Sequence, residues 1–159
     1  MKHAILAFAL AAAGCASYDG YNLKPGTSHE DEARRTMGAP AVEFASADGS
    51  RTLAYPRGPL GLQTFMVDVG PDRTVKAVRQ VLGDDVFNRI RPGMTQDEVL
   101  RLIGPPGDEM EFPRMQQVSW EWRYKDTWNY IAIFSVNFDR QGLVVSKFSR
   151  RIERNDGPK

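Results

Sequence analysis

Between residues 90 and 150 the apolar positions change period. Val99, Leu102 and Ile103 recur at i, i+3 and i+4, one stripe of a helix. Val118, Trp120, Trp122 and Tyr124 then alternate with Gln117, Ser119, Glu121 and Arg123, the period of a strand with one buried face. Ala132, Phe134 and Val136 repeat that alternation within a strand over 130–138, and the turn Asp139-Arg140-Gln141-Gly142 leads into a third strand over 143–149. Pro92-Gly93 marks the turn before the helix. Thr95-Gln96-Asp97-Glu98 predicts a capping box, in which the Thr and Glu side chains satisfy free amides at the helix start. Gly104 and Pro105 end the helix.

The same grammar occurs once before. Leu23-Lys24-Pro25-Gly26-Thr27 answers Ile90-Arg91-Pro92-Gly93-Met94-Thr95, with 67 residues from Pro-Gly to Pro-Gly. Met37-Gly38-Ala39-Pro40 answers Ile103-Gly104-Pro105-Pro106, one residue out of step. Leu53 and Tyr55 answer Trp120 and Trp122; Phe65, Val67, Val69 and Asp72-Arg73 answer Ala132, Phe134, Val136 and Asp139-Arg140. Thr27-Ser28-His29-Glu30 starts the first helix, whose stripe (Ala33, Thr36, Met37) is poorer, and strands are predicted over 50–55, 61–69 and 74–82. A repeat of this kind predicts an α+β fold of two tandem units, each a helix or short helix pair followed by a three-stranded antiparallel meander. The units span 23–82 and 90–150, with a linker or short helix over 83–89 and a polar, flexible tail over 151–159.

Ahead of the repeat, a basic start and a short apolar run end in Ala12-Ala13-Gly14-Cys15, the pattern of an export signal. The placement of Cys15 resembles the lipobox of bacterial lipoproteins, although Ala12 stands where Leu is usual. That resemblance implies cleavage after a signal peptide of residues 1–14 and lipidation of Cys15, with 15–22 as a tether. Ala16 after the cysteine is compatible with sorting to the outer membrane.

Charge and side-chain inventory narrow the function. The chain has 21 Lys and Arg against 20 Asp and Glu; with Lys2 removed the balance is even, so the footprint of a nucleic-acid-binding protein is missing. One cysteine excludes an internal disulfide, and His29 as the single histidine beyond the signal excludes a His-cluster metal site. No nucleophile–base pair stands out, so the expectation is a protein without catalytic residues, metal or cofactor. His29 reads as a surface residue at a helix start, and Asp108, Glu109 and Glu111 read as solvated carboxylates with nothing near to raise a pKa. The loop Tyr55-Pro56-Arg57-Gly58-Pro59-Leu60-Gly61 reads as a connector.

The run from Arg91 to Pro106, with Pro-Gly, a Thr-started helix and Gly-x-Pro, resembles the opening of the SmpA/OmlA (BamE-like) outer-membrane lipoprotein family. The helix-plus-meander in tandem is also similar to the β-lactamase inhibitory protein fold. The resemblance implies a lipid-anchored protein on the periplasmic face of the outer membrane, with a non-catalytic binding or scaffold role. Its partners would be the membrane, through the lipid, and envelope or outer-membrane assembly proteins. Two other readings are an inhibitor-like module that covers a periplasmic enzyme with its sheet face and, less favoured, a cell-wall-acting enzyme. Trp and Tyr dominate protein interfaces, so Trp128, Tyr130, Trp120 and Trp122 are the candidate partner-binding residues. For Trp120 and Trp122, alternation with polar neighbours equally fits a place in the core. Cys15→Ser is expected to leave the protein unlipidated; membrane fractionation checks this, and outer-membrane recovery of the variant would place the anchor elsewhere.

Overall fold

The structure, a computed structural model, describes residues 19–57 and 61–152. The signal peptide, Cys15, the tail beyond Ile152 and positions 58–60 lie outside the described residues. Helix α1 (Glu30–Met37) is followed by β1 (Val42–Ala45), β2 (Arg51–Pro56), β3 (Thr64–Val69) and β4 (Val75–Gln80). After α2 (Asp84–Phe87) and α3 (Gln96–Ile103) come β5 (Asp108–Phe112), β6 (Gln117–Lys125), β7 (Ile131–Phe138) and β8 (Val144–Arg151). The class is α+β, and each set of strands forms a four-stranded antiparallel meander in chain order.

Three-stranded meanders are therefore corrected to four. The missed strands, β1 and β5, are both sheet edges. Val-Glu-Phe-Ala is too short to show a period, and Asp-Glu-Met-Glu-Phe is charged because an edge strand keeps much of its surface in water. Residues 19–22 leave the predicted tether: they form a turn, and Gly20 is buried against Met37.

Backbone hydrogen bonds fix the true equivalence of the two units. Gly26 N donates to Val75 O as Gly93 N donates to Val144 O, and Val75 N donates to Ser28 O as Val144 N donates to Met94 O. Thr27 is thus the extra residue of the first unit, and the helix cap is His29, whose Nδ1 accepts from Asp31 N at 3.4 Å. In the second unit Thr95 and Glu98 form the full capping box. Leu53 pairs with Val67 where Trp120 pairs with Val136, so equivalent residues are 67 apart in β2 and 69 apart in β3. The predicted matches of Phe65 to Ala132 and Asp72-Arg73 to Asp139-Arg140 are therefore two positions off. The second unit's β6–β7 hairpin is longer by those two residues.

The first helix is held by charge where its stripe is weak. Glu30 is 1% exposed and binds Arg34 at 2.7 Å, Arg73 at 3.3 Å and Arg51 at 3.5 Å, joining α1 to β2 and to the β3–β4 turn. Burial works against its charge, but the hydrogen bonds from Arg34 and Arg73 and the nearby Arg51 outweigh it and hold the carboxyl below its usual range.

Alternation along the strands decides the layering. Leu53, Tyr55, Phe65, Val67 and Val69 point to one face of the first sheet and pack with Ala33 and Met37 of α1. Phe44, Ala54 and Met66 point to the other face and join the core of the second unit, with Val99 and Ile103 of α3. That core continues through Phe87, stacked on Phe134 at 3.8 Å, to Trp120, Trp122, Tyr124 and Phe138 on the inner face of the second sheet. The order of layers is α1, first sheet, α2 and α3, second sheet. Arg101 of α3 lies over the Phe44 ring at 5.2 Å, and a Cβ on Gly104 would meet Thr64 Cγ2 at 2.9 Å.

Gly104 and Gly38 both cap helices at positive φ, 76° and 84°, where a side chain is strained. Only Gly104 is also pressed against the first sheet; nothing lies within 4 Å of a Cβ on Gly38. Gly38→Ala is expected to cost about 1–2 kcal/mol from backbone strain alone. Gly104→Ala should cost clearly more in the same urea unfolding measurement, because it also parts the two units.

Candidate functional site

The second sheet has the same architecture as the first but one fewer neighbour. Its outer face is formed by Met110 and Phe112 of β5, Ser119, Glu121 and Arg123 of β6, Ile133, Ser135 and Asn137 of β7, and Ser146, Phe148 and Arg150 of β8, in register across the strands. No element among the described residues covers this face. Phe148 is 48% exposed and Phe112 39%.

The floor of the face is small and polar. Ser119 and Ser135 are buried, and Ser135 Oγ donates to Glu121 Oε1 at 3.0 Å. Glu121 Oε2 also lies 3.5 Å from Nη2 of Arg150, which reaches across β7 from β8 on the same face. Equivalent positions of the first sheet carry Ala54 and Met66, which receive α3. Glu121 and Ser135 replace that greasy seat, while Met110, Phe112 and Phe148 remain around it. Because the polar groups at its centre have their hydrogen bonds made, the free protein can keep this face in water.

Next to this face stands the longer hairpin. Asp126 Oδ1 accepts from Trp128 N and Tyr130 N, both at 2.9 Å, and its Oδ2 accepts from Arg151 Nε at 2.6 Å. Arg151 also lies over the Tyr130 ring at 4.7 Å. Asn129 takes positive φ, 64°, as a tight turn requires. Partial burial opposes the charge on Asp126, but the bonds from Tyr130 N, Arg151 and Trp128 N hold its carboxyl below the usual range. The result is a fixed loop that presents Trp128 (74% exposed) and Tyr130 (59%) to solvent.

The predicted site residues therefore separate. Trp128 and Tyr130 are accessible. Trp120 and Trp122 are corrected to core residues, 7% and 2% exposed, because they lie on the inner side of β6 against α2 and α3. Trp122 Nε1 donates to Gly104 O at 3.2 Å and Pro105 O at 3.0 Å, tying the sheet to the end of α3. Met110, Phe112 and Phe148 were missed as site residues. The available signal was Phe148, one aromatic alone in the polar run Ser146-Lys147-Phe148-Ser149-Arg150.

Among the described residues no three His, Cys, Asp or Glu side chains converge as a metal site. No helix among them is long and apolar enough to cross a membrane. His29 caps α1, and Asp108, Glu109 and Glu111 are exposed on edge strand β5.

No protein-family profile matches the sequence, and no curated protein matches it. Three solved structures are similar at low scores. A DUF4309-family protein of Bacillus subtilis aligns over 84% of both chains with 10% identity and a TM-score of 0.33. A candidate β-lactamase inhibitor protein of Streptococcus mutans aligns over 79% of this chain and 84% of its own, with 10% identity and a TM-score of 0.31. An extracellular protein of Bacillus anthracis containing an SCP domain aligns over 92% of this chain but half of its own, with 14% identity and a TM-score of 0.33. Scores of this size carry no function across.

Trp122→Ala is expected to cost about 3–5 kcal/mol, as for other large buried aromatics. Trp128→Ala should change stability by no more than about 0.5 kcal/mol. Urea unfolding of the two variants checks both.

Proposed function

We propose that the chain is a non-catalytic, lipid-anchored protein of a bacterial cell envelope that docks onto a single protein partner through the outer face of its second sheet. One observation carries this reading. The first sheet has helices on both faces, whereas the second has them on one, and its other face is ordered, in register and open.

The shape of that face bears on the partner. It is broad and bounded by strands rather than enclosed, which suits another protein better than a small molecule. It is also the one sheet face left open among the described residues. A scaffold that bridges components needs two surfaces, and both faces of the first sheet are already occupied. A body with one open face suits covering a single partner, so the inhibitor-like reading, with an envelope enzyme as the partner, is favoured over the assembly scaffold. The lipid on Cys15 would hold the protein at the outer membrane, facing the periplasm.

Tagged protein, purified from detergent-solubilised membranes, tests the proposal. Phe148→Asp places a charge in the apolar margin without entering the core. It should lower recovery of the partner by the loss typical of an interface hot spot, about 2 kcal/mol or roughly 30-fold in affinity. Its unfolding midpoint should be unchanged. Undiminished recovery would exclude this face. If the partner is an enzyme, adding the wild-type protein should reduce its turnover and adding Phe148→Asp should not.

A further inference from the structure

The two units point the same way, and this gathers Tyr21, Trp128 and Tyr130, three of the five exposed aromatic side chains among the described residues, at one end. The turn at 19–22 packs on Met37 at the C-terminal end of α1, and Ala41 N bonds Ala54 O near the close of the β2–β3 hairpin. In the second unit Gly107 N bonds Glu121 O in the same place. The end of α3 joins the two: Gly104 touches Thr64, which pairs with Pro56 at the mouth of the β2–β3 hairpin, and its carbonyl holds Trp122 on the way to the β6–β7 hairpin. Ile152, bonded to Ile131 O, ends β8 at that same end.

This end carries five of the exposed large apolar side chains: Tyr21 (86%), Trp128 (74%), Tyr130 (59%), Ile131 (44%) and Ile152 (37%). Its charge is nearly balanced among the described residues, with Arg57, Arg123, Lys125, Arg150 and Arg151 set against Asp19, Asp84, Asp85 and Asp126. The chain also leaves here. Asp19 is four residues after Cys15, a span of about 14 Å at full extension.

We infer that this end of the molecule lies on the bilayer, with Trp128 and Tyr130 of the fixed hairpin, together with Tyr21, Ile131 and Ile152, seated in the headgroup region of a neutral lipid surface. The inference rests on acylation of Cys15, which the proposed function shares, but not on the docking face. Tyr and Trp favour this depth because each has an apolar ring and a polar tip. The hairpin needs little ordering on contact, since Asp126 already fixes it. Near-balanced charge leaves no large electrostatic attraction, so anionic lipid is not required. Strands that run toward the bilayer stand upright on it. The outer face of the second sheet then looks sideways into the periplasm, open to a partner.

The test uses the acylated full-length protein in phosphatidylcholine vesicles whose acyl chains carry bromine near the headgroup, a short-range quencher of tryptophan. Trp120 and Trp122 are buried, so a quenched signal reports Trp128. The expected result is loss of emission on brominated against plain vesicles, abolished in Trp128→Phe and unchanged when phosphatidylglycerol is added. Protein that floats with the vesicles while Trp128 stays unquenched overturns this inference alone. Protein that does not float overturns the anchor and this inference with it. Quenching that appears only with phosphatidylglycerol overturns the neutral-surface assignment. Partner recovery by Phe148→Asp is read separately, so failure of the docking face is distinguishable from both.

Discussion

One helix, α3, is shared by two sheets, and the rest of the molecule is arranged around that contact. Val99 and Ile103 face the aromatic side of the second sheet, while Arg101 and Gly104 meet Phe44, Thr64 and Met66 on the back of the first. The close approach works because Gly104 has no Cβ. It also ends the helix where its carbonyl can accept from Trp122. A small chain gains from this sharing, since each of two separate units of this size would bury too little apolar surface to be comfortably stable alone.

Sharing α3 also makes the two sheets unequal. The first is filled on both faces and serves as structure. The second keeps one face, and its sequence suits water there: Glu121 and Ser135 stand where the first sheet has Ala54 and Met66. The longer β6–β7 hairpin belongs to this same unit, and its two additional residues enlarge the loop that displays Trp128. The features that set the second copy apart from the first are the ones assigned to partner and membrane, as expected when one copy stabilises and the other is free to specialise.

Much of the fold was legible in the chain because its signals are local. The alternation from Val118 to Tyr124, the Thr95–Glu98 box and the Gly104-Pro105 stop each state one element and its buried side. What failed was longer in range. The extra residue Thr27 hid the cap at His29, because a histidine cap has no strong sequence signature. The two-residue difference between hairpins shifted the repeat, since loops accept insertions at little cost. Edge strands β1 and β5 carry too few buried positions to show a period. The site was legible only in part. Exposure of Trp128 follows from its hairpin, but exclusion of Trp120 and Trp122 and exposure of Phe148 depend on which face the neighbouring layer takes, and no local pattern states that.

The central physical claim is that the two units are one cooperative body. All three tryptophans lie in the second unit, so fluorescence during urea unfolding reports that unit. Amide hydrogen exchange at Leu53 and Val67 under the same conditions reports the first. A shared α3 predicts one midpoint and one free energy from both probes. Exchange of the first unit's amides at urea concentrations where tryptophan emission is still native would contradict it, and with it the assignment of a single open face.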